Sequence, residues 1–275
     1  MRETPVTIEG ANVSEEIVLE RLFGVQGKTV LVTGGSRGIG RAIAEGFVKA
    51  GARVYVCGRS AEASDLAAKE LSGYGECHSI PAHLGSVAGC RSLAAGLSQR
   101  ESKLDVLVNN AGSIWAESLA DYPESGWDKV FDVNVKGPFF LVQALMPLIE
   151  SAASPDEPAR IINIGSIDAF HVPHHETYAY TSSKAATHQL SRHLAAQLAS
   201  RHITVNVIAP GLFRSKMLAG TIETLGEEAV LASVPLKRFA RPSDMAGAAL
   251  FLASTAGSFV TGAIVPVDGG HATTL

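Results

Sequence analysis

The chain has 275 residues, of which 46% are hydrophobic and 18% are charged, with a formal net charge of −4 and a pI near 6.1. That length can bury a large core, whereas the slightly acidic balance argues against nucleic acid as a partner. The sequence contains no Cys-x-x-Cys pair, signal peptide or apolar run of roughly 18 residues, so a cytoplasmic protein without disulfides, structural zinc or membrane contact is expected.

Residues 1–26 read as an N-terminal extension, in which residues 14–22 are expected to form a short capped helix. From residue 27 onward, short β-branched runs alternate with alanine-rich stretches of helical length. This alternation predicts one α/β domain over 27–275, a Rossmann-type doubly wound parallel sheet of about seven strands with helices on both faces. The predicted strands are 29–33, 53–57, 76–80, 104–109, 160–165, 203–208 and 262–267, and the predicted helices are 38–50, 61–72, 86–101, 125–150, 178–201 and 242–255.

A glycine-rich turn, Thr33-Gly-Gly-Ser-Arg-Gly-Ile-Gly40, follows the first predicted strand and opens the first long helix. Glycines at such a turn let the backbone approach a pyrophosphate, which binds at the helix N-terminus. The turn therefore predicts dinucleotide binding. Its candidate cofactor-binding residues are Gly34, Ser36, Arg37, Gly38, Ile39 and Gly40.

The second predicted strand ends in Val56-Cys57-Gly58-Arg59-Ser60 and lacks the acidic residue that would bind the ribose hydroxyl of NAD. An arginine at this position accommodates a 2′-phosphate instead. Arg37 in the glycine turn adds a second guanidinium, a group well suited to phosphate. NADP(H) is therefore the predicted cofactor, with Arg59 and Ser60 as further contacts.

Tyr180 and Lys184 form a Tyr-x-x-x-Lys pair inside a predicted helix. Residues four apart on a helix share one face, and a nearby cation favours the phenolate form of tyrosine. The pair is a candidate general acid–base. Tyr178 cannot form the same pair, because the residue four positions later is Ser182.

Taken together, these motifs and their spacing resemble the short-chain dehydrogenase/reductase family from about residue 27 to the Asp268-Gly269-Gly270 ending. Within that family the sequence is most similar to NADPH-dependent 3-oxoacyl reductases of the rhamnolipid-synthesis type. The motifs that carry the resemblance are the glycine turn, Asn109-Asn110-Ala111-Gly112, Asn134, Ser166, the Tyr180/Lys184 pair and Pro210-Gly211.

The resemblance implies a role for each catalytic candidate. Tyr180 would donate a proton to a substrate carbonyl, and Lys184 would lower the tyrosine pKa and hold the nicotinamide ribose. Ser166 would polarise the carbonyl, and Asn134 would hold a water that relays protons toward Lys184. The implied cofactor contacts beyond the glycine turn and Arg59 are Ser60, His83, Leu84, Asn110, Ala111, Gly112, Tyr180, Lys184, Pro210, Gly211, Phe213 and Ser215.

Three departures from the family pattern concern the adenine contact, the substrate loop and docking of a carrier. His83 stands where an aspartate is usual. The histidines of the loop after Ser166 (His171, His174 and His175) are expected to face solvent rather than bind metal, so no metal site is predicted. Arg201 suits docking of an acyl carrier, but the acidic segment 156–158 weakens it.

Residues 212–235 are expected to form a substrate lid, because long loops of α/β folds cover active sites. Phe213, Met217 and Leu218 would give that lid an apolar lining. The family resemblance also implies a homo-oligomer, a tetramer or dimer, assembled through the two long helices and the last strand with its tail.

The predicted function is NADPH-dependent reduction of a ketone to a secondary alcohol, with a 3-oxoacyl group linked to an acyl carrier or to coenzyme A as a candidate substrate. One alternative is an NADP-dependent dehydrogenase that oxidises a sugar, polyol, steroid or other secondary alcohol. An alternative of another class is a non-catalytic NADPH-sensing protein. The complete Ser166, Tyr180, Lys184 and Asn134 set argues against the sensor, because a sensor needs no proton donor.

Overall fold

The computed structural model describes residues 18–173, 175–214, 218, 222–223, 226–272 and 274. Seven parallel strands form one sheet in the order β3-β2-β1-β4-β5-β6-β7, which confirms the predicted doubly wound fold. The strands are β1 (Thr29–Thr33), β2 (Arg53–Cys57), β3 (Cys77–Ser79), β4 (Val106–Asn109), β5 (Ala159–Ile164), β6 (Ile203–Pro210) and β7 (Ile264–Val267).

Helices connect the strands and cover both faces of the sheet. None of the helices within the described residues is long and apolar enough to cross a membrane. They are α1 (Leu19–Leu22), α2 (Gly38–Lys49), α3 (Ala61–Leu71), α4 (Val87–Ser98), α5 (Glu124–Phe131), α6 (Gly137–Ala152), α7 (Tyr178–Leu198), α8 (Glu227–Ala232) and α9 (Pro242–Ala253).

The core consists of two clusters, one on each side of the sheet. Successive side chains of a strand point to opposite faces, so Val30 and Val32 of β1 belong to one cluster and Leu31 to the other. The first cluster includes Phe47 of α2, and the second includes Leu141 of α6. Burial on both faces explains why the strands read as nearly continuous apolar runs.

The helix predicted over 125–150 is not uniform. A π-helical turn at Asp132–Lys136 separates α5 from α6. Pro138 stands at the start of α6 and has no N–H, so it cannot donate to the carbonyl four residues earlier, that of Asn134. That carbonyl instead accepts a hydrogen bond from Thr187 Oγ1 at 3.0 Å. The turn therefore ties this helix to α7 at the level of Asn134.

The described part of the predicted N-terminal helix is a single turn. Leu19–Leu22 form this turn without a side-chain cap, and residues 14–17 of the prediction lie outside the described residues. None of the residues in the turn is buried. Tertiary packing therefore contributes little to this turn, and isolated short helices are marginally stable.

Candidate active site

The carboxyl ends of parallel strands meet at one edge of the sheet, where ligands of open α/β folds bind. Here β4 lies between β1 and β5. The glycine turn after β1, Asn110 after β4 and Ser166 after β5 therefore lie at the same edge. The topology brings together motifs that are more than 70 residues apart in sequence, from position 34 to position 110.

Asn110 holds the glycine turn in place. Its Nδ2 donates to the carbonyls of Thr33 at 2.9 Å and Gly34 at 3.2 Å. In return, Thr33 Oγ1 accepts from the backbone N–H groups of Asn110 and Ala111 at 2.9 and 3.0 Å. Gly34 has a φ of 65°, and a Cβ there would stand 2.7 Å from Asn110 Nδ2. Only glycine fits this close approach.

The first turn of α2 suits a pyrophosphate. Arg37 occupies the N-cap position, and its side chain makes no capping hydrogen bond. Gly38 has a φ of +57° and faces open space, with no atom within 4 Å of where a Cβ would be. The uncapped N–H groups and the helix dipole favour an anion here. Ser36 is half-buried beside them, Ile39 packs partly against the core, and Gly40 is buried against Asn110.

The end of β2 lies beside the glycine turn, since Cys57 pairs with Thr33 in the sheet. Both Arg59 and Arg37 are exposed, and neither has a carboxylate partner among the described residues. Unlike the two arginines, Ser60 has a partner within the protein. Its Oγ accepts from the N–H of Ala63 at 3.2 Å and caps α3. The two guanidiniums are therefore available to a 2′-phosphate.

The segment after β3 lies next to the end of β2, where Ala82 N–H donates to Gly58 O at 3.0 Å. His83 is exposed there, so its imidazole is accessible to the adenine of a bound cofactor. Leu84 is buried in the second core cluster. A backbone contact is therefore the way in which Leu84 would reach a cofactor.

Ser166, Tyr180 and Lys184 converge where β5 meets α7. Ser166 follows β5 by two residues and is buried, and its Oγ accepts from the N–H of Asp168 at 3.1 Å. Lys184 is 6% exposed, and its Nζ donates to the carbonyl of Ile164 at 2.8 Å. That ammonium lies 5.6 Å from the centroid of the Tyr180 ring. The structure thus brings the three predicted residues together.

The pKa of Tyr180 differs from the expectation that Lys184 lowers it. In the protein alone, burial raises the pKa of Tyr180 to about 12, and the negative charge of Asp168 adds to the rise. A hydrogen bond with the Ser166 side chain pulls the same pKa downward, by less. The shift is opposite to the expectation because desolvation of the phenolate outweighs the hydrogen bond with Ser166. The phenol therefore stays protonated, as a proton donor requires.

Burial also lowers the pKa of Lys184, to about 8, against a smaller opposing effect of Asp168. We expect kcat/KM for ketone reduction to fall as the pH rises through about 8, because the ammonium then loses its proton. Tyr180, with a pKa of about 12, would still be protonated there. A pH profile of wild type and Lys184→Met tests this assignment. An alkaline limb that persists unchanged in the variant would show that another group titrates.

Asn134 is buried at the π turn, and three hydrogen bonds hold its side-chain amide. Its Oδ1 accepts from Ser113 N–H at 2.7 Å, and its Nδ2 donates to Ser113 O and to Ser183 Oγ, each at 2.9 Å. Gly112 is close to this amide and to Lys184. A Cβ atom at Gly112 would stand 3.5 Å from Asn134 Oδ1 and 4.0 Å from Lys184 Nζ. Gly112 therefore borders both the Asn134 amide and the Lys184 ammonium.

A chain of buried polar groups beneath these residues was not anticipated from the sequence. Asn109 Nδ2 donates to Asn163 Oδ1 at 2.9 Å, and Asn163 Nδ2 donates to Ser191 Oγ at 2.8 Å. Ser191 in turn donates to the carbonyl of Thr187 at 2.7 Å. These contacts link β4, β5 and α7. The available signal was the spacing of Lys184, Thr187 and Ser191, which places three polar groups on one buried helix face.

The remaining cofactor candidates follow β6. Pro210 is buried at the end of the strand, and Gly211 lies so close to the backbone of Asp268 that a Cβ would stand 2.6 Å from its Cα. Phe213 forms an isolated parallel bridge with Ala240 and packs partly against the first core cluster. Among the lid and cofactor candidates, Ser215 and Met217 lie outside the described residues.

Three other residues singled out in the sequence have different surroundings. Tyr178 is 37% exposed, and its hydroxyl donates to Glu176 at 2.8 Å. Arg201 pairs with Glu150, with Nε 2.6 Å from the carboxylate, and both side chains are exposed. His171 does not simply face solvent, because it contacts Asp168 and His271, whereas His174 lies outside the described residues.

Comparison with known proteins agrees with this geometry. A family described as enoyl-(acyl carrier protein) reductase matches residues 34–272. The chain is 51% identical over 251 residues to the rhamnolipids biosynthesis 3-oxoacyl-(acyl-carrier-protein) reductase of Pseudomonas aeruginosa, covering 90% of this chain and 97% of that protein. It is 36% identical over 252 residues to the galactitol 2-dehydrogenase (L-tagatose-forming) of Cereibacter sphaeroides, covering 91% and 97%.

Among solved structures, the Pseudomonas aeruginosa RhlG/NADP active-site complex matches the fold with a TM-score of 0.89 at 49% identity, covering 92% of this chain and 99% of that chain. The match extends over the glycine turn, the sheet edge and the Tyr180/Lys184 helix. The chain therefore belongs to the short-chain dehydrogenase/reductase family of oxidoreductases.

Proposed function

We propose that this protein is an NADPH-dependent reductase that converts a ketone to a secondary alcohol. The observation that carries the proposal is the convergence of Ser166, Tyr180 and Lys184 at the sheet edge that also holds the glycine turn. A protonated phenol beside a buried hydroxyl and a buried ammonium is suited to donating a proton to a carbonyl oxygen.

Each residue has a defined task in this reaction. NADPH, when bound, supplies the hydride that adds to the carbonyl carbon. Tyr180 gives its proton to the carbonyl oxygen, and Ser166 hydrogen-bonds the same oxygen as negative charge develops on it. Lys184, held by Ile164 O, places a positive charge beside the phenolate that Tyr180 becomes. Asn134, fixed by Ser113 and Ser183, holds the water that returns a proton toward Lys184.

NADPH is the proposed cofactor because arginines lie at the end of β2, where NAD-binding enzymes have an acidic residue. Arg37 and Arg59 flank the end of β2, and the Pseudomonas aeruginosa neighbour was solved with NADP. We expect Arg59→Asp to lower the NADPH/NADH ratio of kcat/KM about a hundredfold, since a charge-assisted hydrogen bond is lost and a repulsion gained. Steady-state kinetics with both coenzymes measures the ratio.

The matched control for that experiment is Arg201→Asp. Arg201 is an exposed arginine that lies just before β6, and its replacement changes the net charge by the same amount. It is expected to leave the coenzyme ratio unchanged, because the start of β6 lies at the opposite edge of the sheet from the end of β2. An Arg59→Asp enzyme with an unaltered ratio would refute Arg59 as the residue that selects the coenzyme.

A 3-oxoacyl thioester is the first substrate class to test, since the Pseudomonas aeruginosa relative is named for that activity. Arg201, the candidate docking residue for an acyl carrier, is paired with Glu150, and Glu157 of the acidic segment is paired with Lys28. The acyl-carrier thioester and the coenzyme A thioester are therefore both substrates to test. Reduction of acetoacetyl-coenzyme A with NADPH is the direct assay, and oxidation of the matching 3-hydroxyacyl thioester with NADP tests the reverse direction.

Oxidation of a sugar or polyol is the second candidate function. It is favoured by the similarity to the galactitol dehydrogenase and by polar groups near Tyr180 that are described below. A panel of ketones and alcohols, run with both redox states of the coenzyme, separates the two. A protein that binds NADPH but turns over none of these compounds would instead be a sensor.

We propose, finally, a cytoplasmic homo-oligomer, a tetramer or dimer, with residues 1–26 as an extension and 212–235 as a lid. The outer surface of α5 and α6 supports assembly, because it exposes aromatic side chains. Trp127 stacks on Phe131 with ring centroids 5.1 Å apart, and both Trp127 and Phe139 are substantially exposed. Apolar patches of this kind mark protein contacts. Light scattering of the purified protein gives the assembly state.

A further inference from the structure

A cluster of three polar side chains lies beside the Tyr180/Lys184 pair and has no role in the reaction as described. We call it the Asp168 cluster; it consists of Asp168, His171 and His271. Asp168 follows Ser166 by two residues and donates its N–H to Ser166 Oγ at 3.1 Å. His171 Nδ1 lies 3.7 Å from Asp168 Oδ1, and the rings of His171 and His271 are 5.3 Å apart.

The backbone fixes this cluster from two sides. Asp168 belongs to a 3₁₀ turn at Ile167–Ala169, directly after Ser166. His271 belongs to the C-terminal tail, which is held by the Asp268 carboxylate through the N–H groups of Gly270 at 2.9 Å and Ala272 at 2.8 Å. The three side chains therefore have defined positions rather than being a chance grouping on a loop.

The polar atoms of the cluster are incompletely hydrogen-bonded. The Asp168 side chain is only 23% exposed, yet no group among the described residues donates a hydrogen bond to its carboxylate. Nδ1 of His171 and Nδ1 of His271 are shielded from solvent and have no hydrogen-bond partner among the residues that the structure describes. Polar groups in such surroundings are nearly always paired, so the Asp168 carboxylate, which is still partly exposed, retains hydrogen-bonding capacity for a ligand.

The charges around Asp168 indicate which ligand group fits. The carboxylate lies within electrostatic reach of both catalytic residues, since it raises the pKa of Tyr180 and opposes the lowering of that of Lys184. A cationic group would be repelled by the Lys184 ammonium, and an anionic group by Asp168. A hydroxyl brings no charge, can donate to the carboxylate, and can accept from an imidazole N–H.

We propose that the Asp168 cluster is a substrate-recognition subsite that binds a hydroxyl group close to the ketone reduced at Tyr180. The preferred substrate class is then a hydroxyketone rather than a ketone flanked only by hydrocarbon. The proposal rests on the proposed ketone reduction and adds Asp168 as a specificity-determining residue.

The test compares two ketones of similar shape, 2-hydroxycyclohexanone and 2-methylcyclohexanone, reduced with NADPH by wild type and by Asp168→Asn. The readout is the hydroxyl/methyl ratio of kcat/KM. We expect the variant to lower this ratio about tenfold, because a hydrogen bond to a charged acceptor becomes one to a neutral acceptor. A change of Tyr180 or Lys184 titration in the variant affects both substrates alike and cancels in the ratio.

Glu176→Gln is the matched control, since it removes a carboxylate from the same loop at an exposed position outside the cluster. The hydroxyl/methyl ratio of kcat/KM for Glu176→Gln is expected to equal that of wild type. An Asp168→Asn enzyme that folds, as judged by its Tm, and keeps the wild-type ratio overturns the subsite. If wild type reduces neither these ketones nor acetoacetyl-coenzyme A, the proposed function itself fails, and the subsite fails with it.

Discussion

Tyr180→Phe is expected to lower kcat for ketone reduction about a hundredfold to ten-thousandfold, the usual contribution of a positioned general acid. The substitution removes the phenolic proton beside Ser166 while keeping the ring that packs against Lys184. KM should change little, because the lost interaction is made mainly as charge develops on the carbonyl oxygen. Steady-state kinetics with a ketone that wild type reduces measures the effect, and the Tm of the variant shows whether it is folded.

Tyr178→Phe is the natural control for that experiment. Tyr178 lies two residues earlier on the same helix, is 37% exposed and bonds Glu176 rather than Ser166. It should retain kcat within about a factor of three, because exposed hydroxyls contribute little. Full turnover by the Tyr180→Phe enzyme would contradict the proposed mechanism, as would an equal loss in both variants.

Much of the fold could be predicted from the sequence because its strands are buried on both faces. Runs such as Thr29–Thr33 and Ile203–Pro210 are rich in β-branched residues and are buried along their whole length, as is typical of strands in a parallel sheet covered on both faces. The π turn at Asp132–Lys136 was missed, since hydrophobic periodicity runs smoothly through it. Pro138 was the local signal, because a proline removes the hydrogen bond that an α-helix needs at that point.

The site was predictable to the extent that it consists of local motifs. The glycine turn and the Tyr180/Lys184 pair each depend on neighbours within a few residues, and the structure brings them to one edge of the sheet. The Asp168 cluster could not be predicted, because His171 and His271 are 100 positions apart and meet only through the folded tail. The direction of the Tyr180 pKa shift was missed for a related reason, since desolvation depends on the whole surrounding structure.

Burial of the Lys184 ammonium lowers the free energy of unfolding, although the proposed reaction needs this charge. Substitution of Lys184 tests both effects. Its pKa falls from 10.5 to about 8 on folding. Below pH 8 the folded protein therefore carries a charge that burial disfavours by roughly 3 kcal/mol. That penalty disappears as the pH rises from about 8 to 10.5, because the folded state has then lost the proton that the unfolded state still holds.

Lys184→Met is accordingly expected to have opposite effects on activity and stability. We expect kcat/KM to fall about a hundredfold or more, because a preorganised charge beside the reacting oxygen is lost. At neutral pH the free energy of unfolding should rise by about 1–2 kcal/mol, since relief of the buried charge exceeds the loss of the hydrogen bond to Ile164 O. Urea titrations at neutral pH and at high pH measure the gain, which should shrink as the pH approaches 10.5.

Lys69→Met serves as the control, because Lys69 is an exposed lysine on α3, far from the sheet edge that carries the site. It should leave the free energy of unfolding within about 0.5 kcal/mol of the wild-type value. Its kcat/KM should equal that of wild type. If Lys184→Met were less stable than wild type at neutral pH, the ammonium would be better solvated than its burial implies. The alkaline limb assigned to Lys184 would then have to belong to another group, and the two experiments must therefore agree.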